Sequence, residues 1–211
     1  MNEAPAFSAQ FGSELRQLLA WRRDVRHFRR DALPAGALDE LLSLVVLAPS
    51  VGNAQPWRFV RIVDPALREM LAAHVDAASE TAAAAFDTAR AAAYRALKLH
   101  GLREAPEVLA VFSDDMPVAG HGLGIATMPE MLRYSSAMAI HTLWLAARAE
   151  GIGLGWVSIL DPATVRRLLD VPDSWTLIAL LCVGYPDIES DTPELERRDW
   201  QAREAPHVET R

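Results

Sequence analysis

The segment that most constrains the fold of this chain runs from Ser136 to Glu150 and is apolar on nearly every side of a helix. Such a helix is unfavourable on a solvated surface, so it forms either the centre of a large core or an interface between subunits. A chain of 211 residues with 51% hydrophobic content has enough apolar material for either arrangement. The glycine-rich run Gly151-Ile152-Gly153-Leu154-Gly155 follows directly and ends this helix.

Four strands and about six helices are expected in total. The main helices are predicted over 13–21, 38–47, 71–99, 136–150 and 163–169, and the strands over 57–63, 107–113, 156–159 and 177–184. The 71–99 segment is rich in Ala and contains no Gly or Pro, so we expect one helix that buries little area and acts as a mobile cover. No Gly-x-Gly-x-x-Gly follows a strand and opens a helix, which argues against a Rossmann fold. A single α+β domain over residues 1–211 is expected.

Charge and apolar patterning exclude several classes of function. The net charge of −7, without an extended basic face, argues against nucleic acid as a partner. No stretch approaches the roughly 20 apolar residues of a bilayer span, and residues 1–11 have no apolar core, so we expect no membrane partner and a cytoplasmic location. Cys182 lies in an apolar run and is expected to be buried and unreactive. The six histidines lack the spacing of metal ligands, so no metal site is expected.

The run Arg22-Arg23-Asp24-Val25-Arg26 gathers three guanidinium groups around one carboxylate in an acidic protein. Guanidinium groups hold phosphate bidentately and stay charged at physiological pH, so two of the three are expected to grip a phosphate while Asp24 faces another group. An exposed helix end with self-compensating charges is an equally good interpretation of this run alone.

Two further segments carry groups that suit a flat ring. The loop from Ser50 to Gln55 offers a hydroxyl, a flexible backbone at Gly52 and two carboxamides that match the edge of a heterocycle, although it could be a simple turn. The glycine-rich turn before Ser158 lets the backbone approach a ring closely, while Ser158 itself could be a strand-end hydroxyl bonded to backbone. Ser158 does not lie in Gly-x-Ser-x-Gly, which disfavours hydrolase chemistry. With the arginine run, these segments indicate a pocket for flavin mononucleotide (FMN).

Four segments match one known family. They are the arginine run, Ala48-Pro49-Ser50-Val51-Gly52 with Gln55-Pro56-Trp57, Leu97-Lys98-Leu99 with Gly101, and residues 143–151 with Gly155-Trp156-Val157-Ser158. On these motifs, over roughly Trp21 to Arg203, the chain resembles the BluB family of 5,6-dimethylbenzimidazole synthases within the nitroreductase-like flavoproteins. Ordinary nitroreductases typically carry a serine where this chain has Asp24. Asn53 departs from the BluB pattern and is more similar to a general nitroreductase.

The resemblance implies a nitroreductase-like α+β fold, with a central, mostly antiparallel sheet flanked by helices, in an intertwined homodimer with two flavin sites at the subunit interface. It implies that reduced FMN reacts with O2 and is fragmented to 5,6-dimethylbenzimidazole, the lower ligand of cobalamin, and erythrose 4-phosphate. A helical lid over residues 70–100 would exclude water and leave no room for a nicotinamide. A separate flavin reductase is therefore the expected source of reduced FMN.

The same resemblance assigns roles to individual residues. Arg22, Arg23 and Arg26 would hold the phosphate or the ring edge, with Asp24 and Val25 along the ring and the ribityl chain. The other flavin-binding residues that it implies are Ser50, Gly52, Gln55, Arg90, Leu99, Ser158 and Arg203. Asp24 would transfer protons, and Ser158 would be a hydrogen-bond donor or relay that positions the peroxide or the ribityl oxygens. Two alternatives stay open: an FMN-dependent NAD(P)H nitroreductase or flavin oxidoreductase, and a flavin-binding module without turnover.

Overall fold

The computed structural model of this protein describes residues 4–211. The helices in this range are α1 (Ala9–Trp21), α2 (Ala37–Ser43), α3 (Pro65–Ala83), α4 (Thr88–Arg95), α5 (Met131–Ala149), α6 (Pro162–Leu169) and α7 (Glu194–Arg197). The strands are β1 (Trp57–Arg61), β2 (Glu107–Asp114), β3 (Gly153–Val157) and β4 (Trp175–Gly184). Two short 3-10 turns span Leu44–Leu47 and Val51–Asn53.

The four strands form one sheet in the order β1-β2-β4-β3, and every neighbouring pair is antiparallel. Successive side chains of a strand point to opposite faces, so β2 contributes side chains to both faces of the sheet. Its residues Val108 and Phe112 join one apolar cluster with α3 and α6, and Leu109 and Val111 join another with α2 and α5. Since both faces are covered, the central strands are continuous apolar runs, and the predicted α+β class with an antiparallel sheet is confirmed.

Helix α5 packs its inner face on the sheet, as the core alternative predicted. It begins at Met131, five residues before the expected start, and its inner residues Ile140 and Leu143 are fully buried. On its outer face, Tyr134 remains 50% exposed. The helix is therefore a core element on one side and an accessible surface on the other.

The prediction of one unbroken helix over residues 71–99 is wrong. Helix α3 ends at Ala83, and Asp87 begins α4 by accepting a hydrogen bond from the Arg90 amide at 2.9 Å. An Asp side chain that caps a helix competes with helix continuation, and this signal was hidden by the absence of Gly and Pro. Leu71 and Val75 are fully buried in the core, so within the expected lid only the part after α3 lies outside it.

The strand predicted over 156–159 is also misplaced. Strand β3 covers Gly153–Val157, so Ser158 lies just beyond its end rather than inside it. The glycines of residues 151–155 follow an apolar helix and precede an apolar run, a pattern that predicts a turn. Glycine inside a strand, however, also marks a close approach of another backbone.

Cys182 is fully buried in β4, and burial raises the pKa of its thiol to about 12. The buried position expected from its apolar surroundings is confirmed, and its low reactivity stays a prediction. None of the helices between residues 4 and 211 is long and apolar enough to cross a bilayer.

Candidate active site

The arginine run, residues 22–26, leaves the end of α1 and lies along the outer edge of β3. The Arg22 amide donates to the Leu18 carbonyl at 2.8 Å and closes the helix, and the Val25 amide donates to the Leu154 carbonyl at 3.1 Å. At Gly155, a Cβ atom would lie only 2.1 Å from the Val25 carbonyl oxygen. Only glycine permits this approach, and the approach fixes the arginine run on the rigid sheet.

Asp24 is held from two sides. Its Oδ1 accepts from the Trp156 backbone amide at 2.8 Å, and its Oδ2 accepts from Nε of Arg26 at 3.0 Å. Burial raises the pKa of Asp24, while the Trp156 amide and Arg26 oppose that shift by favouring the charged form. The side chain keeps 32% of its surface exposed, so a ligand can reach it. This carboxyl group is therefore oriented, accessible and able to hold a proton at higher pH than an ordinary Asp.

The three arginines of the run have different partners. Arg26 is 12% exposed and is committed to Asp24 and, at 3.3 Å from Nη1, to the Lys98 carbonyl. Arg23 donates from Nε to the Ala20 carbonyl at 2.7 Å and thereby caps the end of α1. Arg22 lies over the ring of Trp144 with its Cζ 4.7 Å from the ring centroid.

Within the run, only Arg26 forms a direct ion pair, with Asp24. Among the described residues, no carboxylate lies within 4.0 Å of Arg22 or Arg23. Burial, and then the neighbouring charges of Arg22 and Arg203, lower the pKa of Arg23, while the more distant carboxylates of Asp191 and Glu196 oppose that shift. The interpretation of a self-compensating helix end thus fits Arg26 only, and two guanidinium groups carry positive charge that suits an anion.

The C-terminal segment forms the other wall of the depression around Asp24. It contributes Ile188, Ser190, Thr192, Glu194 and Arg197. Arg203 is paired with Glu196 at 2.7 Å, and its charge acts on Arg23. The structure therefore brings Arg203 towards the arginine run, although its guanidinium already has a carboxylate partner.

Ser158 is exposed directly after β3. Within residues 4–211 its hydroxyl has no hydrogen-bond partner, so the alternative of a strand-end hydroxyl bonded to backbone is not what the structure contains. It follows Trp156 by two residues, which places it at most about 7 Å along the chain from the residue whose amide binds Asp24. Ser158 is thus available to a ligand that also contacts Asp24.

The loop from Ser50 to Gln55 is tightly built, contrary to the expected flexibility at Gly52. Ser50 Oγ accepts from the Gln55 amide at 3.1 Å, and the Val51 amide donates to Ser135 Oγ at 3.0 Å. Gly52 has a φ of 55°, and a Cβ there would lie 2.8 Å from the Leu123 carbonyl oxygen. Gly52 is therefore needed because it allows this loop to pack closely against the backbone at Leu123.

This loop lies far from the arginine run of the same chain. It precedes Trp57 of β1, which pairs with Ser113 of β2, whereas the arginine run pairs with Leu154 at the opposite edge and the opposite end of the sheet. Three strand spacings of about 4.8 Å and six residues of about 3.3 Å put the two segments roughly 25 Å apart. In one chain, therefore, they cannot line the same pocket.

Arg90 and Leu99 lie at the two places where the predicted lid segment contacts other parts of the chain. The guanidinium of Arg90 lies 3.8 Å from the ring centroid of Trp200, which also packs on Phe86 and Tyr94. Leu99 is partly buried and follows Lys98, whose carbonyl accepts from Arg26. The lid segment is thus joined to the C-terminal tail at α4 and to the arginine run at its end.

Sequence reasoning missed Trp144 and Trp156. The indole Nε1 of Trp144 donates to the Arg23 carbonyl at 3.2 Å, and the two indole rings stack with centroids 6.4 Å apart and planes 19° from parallel. Trp144 resembled core filling within an apolar helix. The available signal was its N–H group, because a buried indole usually requires a hydrogen-bond acceptor.

Comparison with known proteins gives consistent matches over most of the chain. The model of the nitroreductase family matches residues 19–185. A 5,6-dimethylbenzimidazole synthase of Rhodospirillum rubrum is 54% identical over 207 residues, covering 98% of each chain. A second one, of Rhodobacter capsulatus, is 53% identical over 187 residues, covering 89% of this chain and 90% of that protein. A solved structure of oxidized iodotyrosine deiodinase bound to FMN and 3-iodo-L-tyrosine is 26% identical with a TM-score of 0.72, covering 93% of this chain and 97% of that chain.

Proposed function

This chain belongs to the nitroreductase family, and we propose that it acts as a 5,6-dimethylbenzimidazole synthase. The reaction is the O2-dependent fragmentation of reduced FMN to 5,6-dimethylbenzimidazole, the lower ligand of cobalamin, and erythrose 4-phosphate. Curated proteins with this activity in their names are 48–54% identical to the chain. The observation that carries the proposal is Asp24, a carboxyl group fixed on Trp156 and Arg26 with a raised pKa.

The residues of the site fit FMN. Arg22 and Arg23 form no direct ion pair with a described carboxylate and so can bind a phosphate group, while Asp24 and Val25 lie beside them to orient the ring and the ribityl chain. When bound in reduced form, FMN supplies both the electrons for O2 and the ring that becomes the product. Arg203 stands close enough to contribute to phosphate binding if it exchanges Glu196 for the ligand.

Asp24 holds and releases a proton at its carboxylate oxygens. Burial favours the protonated form, and the Trp156 amide with Arg26 favours the charged form, so the opposing effects allow the group to cycle between the two. Ser158 offers an exposed hydroxyl that donates to the ligand at the same edge of β3. The lid segment after α3, with Arg90 and Leu99, closes the pocket against bulk water.

The complete site is assembled from two copies of the chain in a homodimer. Ser50, Gly52 and Gln55 lie roughly 25 Å from the arginine run of their own chain, so a partner must bring its loop to that run. A stripe with a spacing of four residues supports an interface along α1: Phe7, Phe11, Leu15 and Leu19 are 71%, 42%, 39% and 44% exposed. In the described chain no residue of α1 is buried.

A separate flavin reductase supplies reduced FMN, because a covered pocket excludes a nicotinamide. The cytoplasmic location expected from the sequence stays a prediction. The alternative of an FMN-dependent NAD(P)H nitroreductase is favoured by Asn53 alone, whose side chain accepts a hydrogen bond from Gln55 at 3.3 Å.

The test compares flavin loss with nicotinamide oxidation. The protein is loaded anaerobically with reduced FMN and then aerated. The absorbance of oxidised flavin is expected not to return, and no rapid NADPH oxidation is expected in the presence of a nitroaromatic. In Asp24→Asn and Ser158→Ala more of the oxidised-flavin absorbance should return. Asp31→Asn is the matched control, because Asp31 also pairs with an arginine two residues away, at 2.8 Å, but is 61% exposed. Rapid NADPH oxidation with stable flavin absorbance would favour the nitroreductase.

A further inference from the structure

Trp144 of α5 contacts both Arg22, which we propose binds phosphate, and the peptide that carries Asp24. We propose that Trp144 is a positioning residue that holds Arg22 ready for the anionic end of the flavin and fixes the peptide that carries Asp24. This proposal rests on the proposed flavin site and goes beyond it, because Trp144 itself need not touch the ligand. It links phosphate recognition and proton transfer through one side chain.

The first contact orients Arg22. The guanidinium lies 4.7 Å from the centroid of the Trp144 ring, and the described part of the chain places no carboxylate within 4.0 Å of it. An unconstrained arginine loses much rotamer freedom when it binds an anion, and stacking on an aromatic face removes part of that loss beforehand. Trp144 thus prepares Arg22 for a phosphate without neutralising its charge.

The second contact fixes the backbone of Asp24. Nε1 of Trp144 donates to the Arg23 carbonyl at 3.2 Å, and that carbonyl belongs to the peptide bond that Arg23 shares with Asp24. The next amide, that of Val25, is bound to Leu154 of β3 at 3.1 Å. The backbone on each side of the Asp24 side chain is therefore tied to a different rigid element.

The third contact reaches the carboxylate through a neighbouring ring. Trp144 stacks on Trp156 with centroids 6.4 Å apart, and the backbone amide of Trp156 donates to Asp24 Oδ1 at 2.8 Å. Trp144 itself is carried by a helix whose adjacent residue Leu143 is fully buried. It therefore serves as a fixed platform between the sheet and the arginine run.

A residue that only fills space would give a different result from a positioning residue. Simple packing loss would weaken every flavin equally, whereas loss of Arg22 orientation weakens only the ligand that carries a phosphate. Trp144 and Arg22 line the same depression beside Gly153 and Pro186, so the contact is accessible to a bound anion. Oxidised FMN and riboflavin differ by the phosphate alone and distinguish these two cases without any turnover.

The experiment titrates the flavin-free protein with oxidised FMN and with riboflavin, and the readout is the ratio of the two dissociation constants. Trp144→Phe keeps a ring under Arg22 but removes the N–H donor, and Trp144→Leu removes both. We expect the preference for FMN to fall by about tenfold in W144L and to change by less than about threefold in W144F, which keeps the ring that orients Arg22. Trp175→Phe is the matched control, because Arg58 lies 6.0 Å over that ring in another part of the chain, and it should leave the ratio unchanged.

A second readout concerns Asp24. The pH dependence of flavin loss on aeration should shift in W144F relative to wild type, because the peptide that carries the carboxyl group is no longer fixed, and W175F should not shift it.

Equal weakening of FMN and riboflavin in W144L, or no weakening, would overturn the proposal, and so would a wild-type protein that binds both flavins equally. If W144L does not fold, W144F decides the question through the pH dependence of flavin loss, and a dependence equal to that of wild type would overturn the proposal. Failure of the proposed function appears elsewhere: wild type would then prefer FMN over riboflavin yet release it chemically intact after aeration.

Discussion

Gly155 is the position where a single methyl group should most disturb the site. A Cβ at residue 155 would lie 2.1 Å from the Val25 carbonyl oxygen and 3.2 Å from its carbonyl carbon, and both are backbone atoms. Ordinary contact requires about 3.4 Å or more, so Gly155→Ala must push the arginine run away from β3 by more than about 1 Å. The sheet is closely packed, and we expect the run to move rather than the strand.

The size of the effect follows from the two hydrogen bonds that this displacement breaks. They are the Val25 amide to the Leu154 carbonyl at 3.1 Å and the Trp156 amide to Asp24 Oδ1 at 2.8 Å. A neutral bond contributes about 1 kcal/mol and one to a charged group about 1.5–3 kcal/mol, so the free energy of unfolding should fall by about 2–4 kcal/mol. Affinity for FMN should fall as well, because the run carries the arginines that we propose bind the phosphate.

Urea denaturation followed by circular dichroism measures this change, with two glycine controls. At Gly153 a Cβ would lie 2.8 Å from the Val25 side chain and 3.0 Å from that of Pro186, and the nearest backbone atom, the Gly184 carbonyl oxygen, is 3.3 Å away, so Gly153→Ala should cost less, about 1–2 kcal/mol. At Gly12 in α1 the nearest atom is 3.9 Å away, and Gly12→Ala should stabilise the protein by about 0.5–1 kcal/mol. If G155A unfolds within about 0.5 kcal/mol of wild type and binds FMN normally, the close approach is not required and the reasoning is wrong.

Three further predictions follow from Asp24, Trp200 and Cys182. The raised pKa of Asp24 gives the folded protein stability that is present at low pH and is lost as the pH rises through that pKa. The melting temperature of Asp24→Asn minus that of wild type should therefore increase from pH 4 to pH 8. A constant difference would contradict the raised pKa. Trp200→Ala removes the ring that Arg90 and Tyr94 contact, so it should lower the free energy of unfolding by about 2 kcal/mol. Limited proteolysis near α4 should become faster, and an unchanged rate of cleavage would contradict this prediction. Cys182 should react with a thiol reagent at pH 8 only in denaturant, because its pKa is about 12, and labelling of the native protein would contradict its burial.

The sequence predicts those helices and strands whose local residue pattern agrees with their position in the tertiary structure. The apolar strand at 177–184 and the helix at 136–150 are long apolar segments, and both exist and begin earlier than predicted. The arginine run was found because three guanidinium groups beside one carboxylate are unusual in an acidic chain. Its placement against an edge strand follows from Gly155, whose role depends on a backbone more than a hundred residues away in the sequence.

The parts of the site that the sequence missed depend on long-range contacts. Trp144 reaches the Arg23 carbonyl and stacks on Trp156, contacts between distant parts of the chain that no spacing rule connects. The separation of the Ser50 loop from the arginine run depends on strand order, which periodicity does not reveal. The resemblance places these residues in one pocket, and their separation on the sheet is the reason that we propose a pocket formed by two chains.

The central claim is that the reduced flavin is consumed in this pocket. The most direct measurement is a single turnover: the protein is loaded with reduced FMN without oxygen, then aerated, and the released small molecules are analysed by mass spectrometry. The account predicts 5,6-dimethylbenzimidazole and erythrose 4-phosphate in amounts that match the lost FMN, with little of either from Asp24→Asn. Quantitative recovery of intact FMN from the wild-type protein would contradict it.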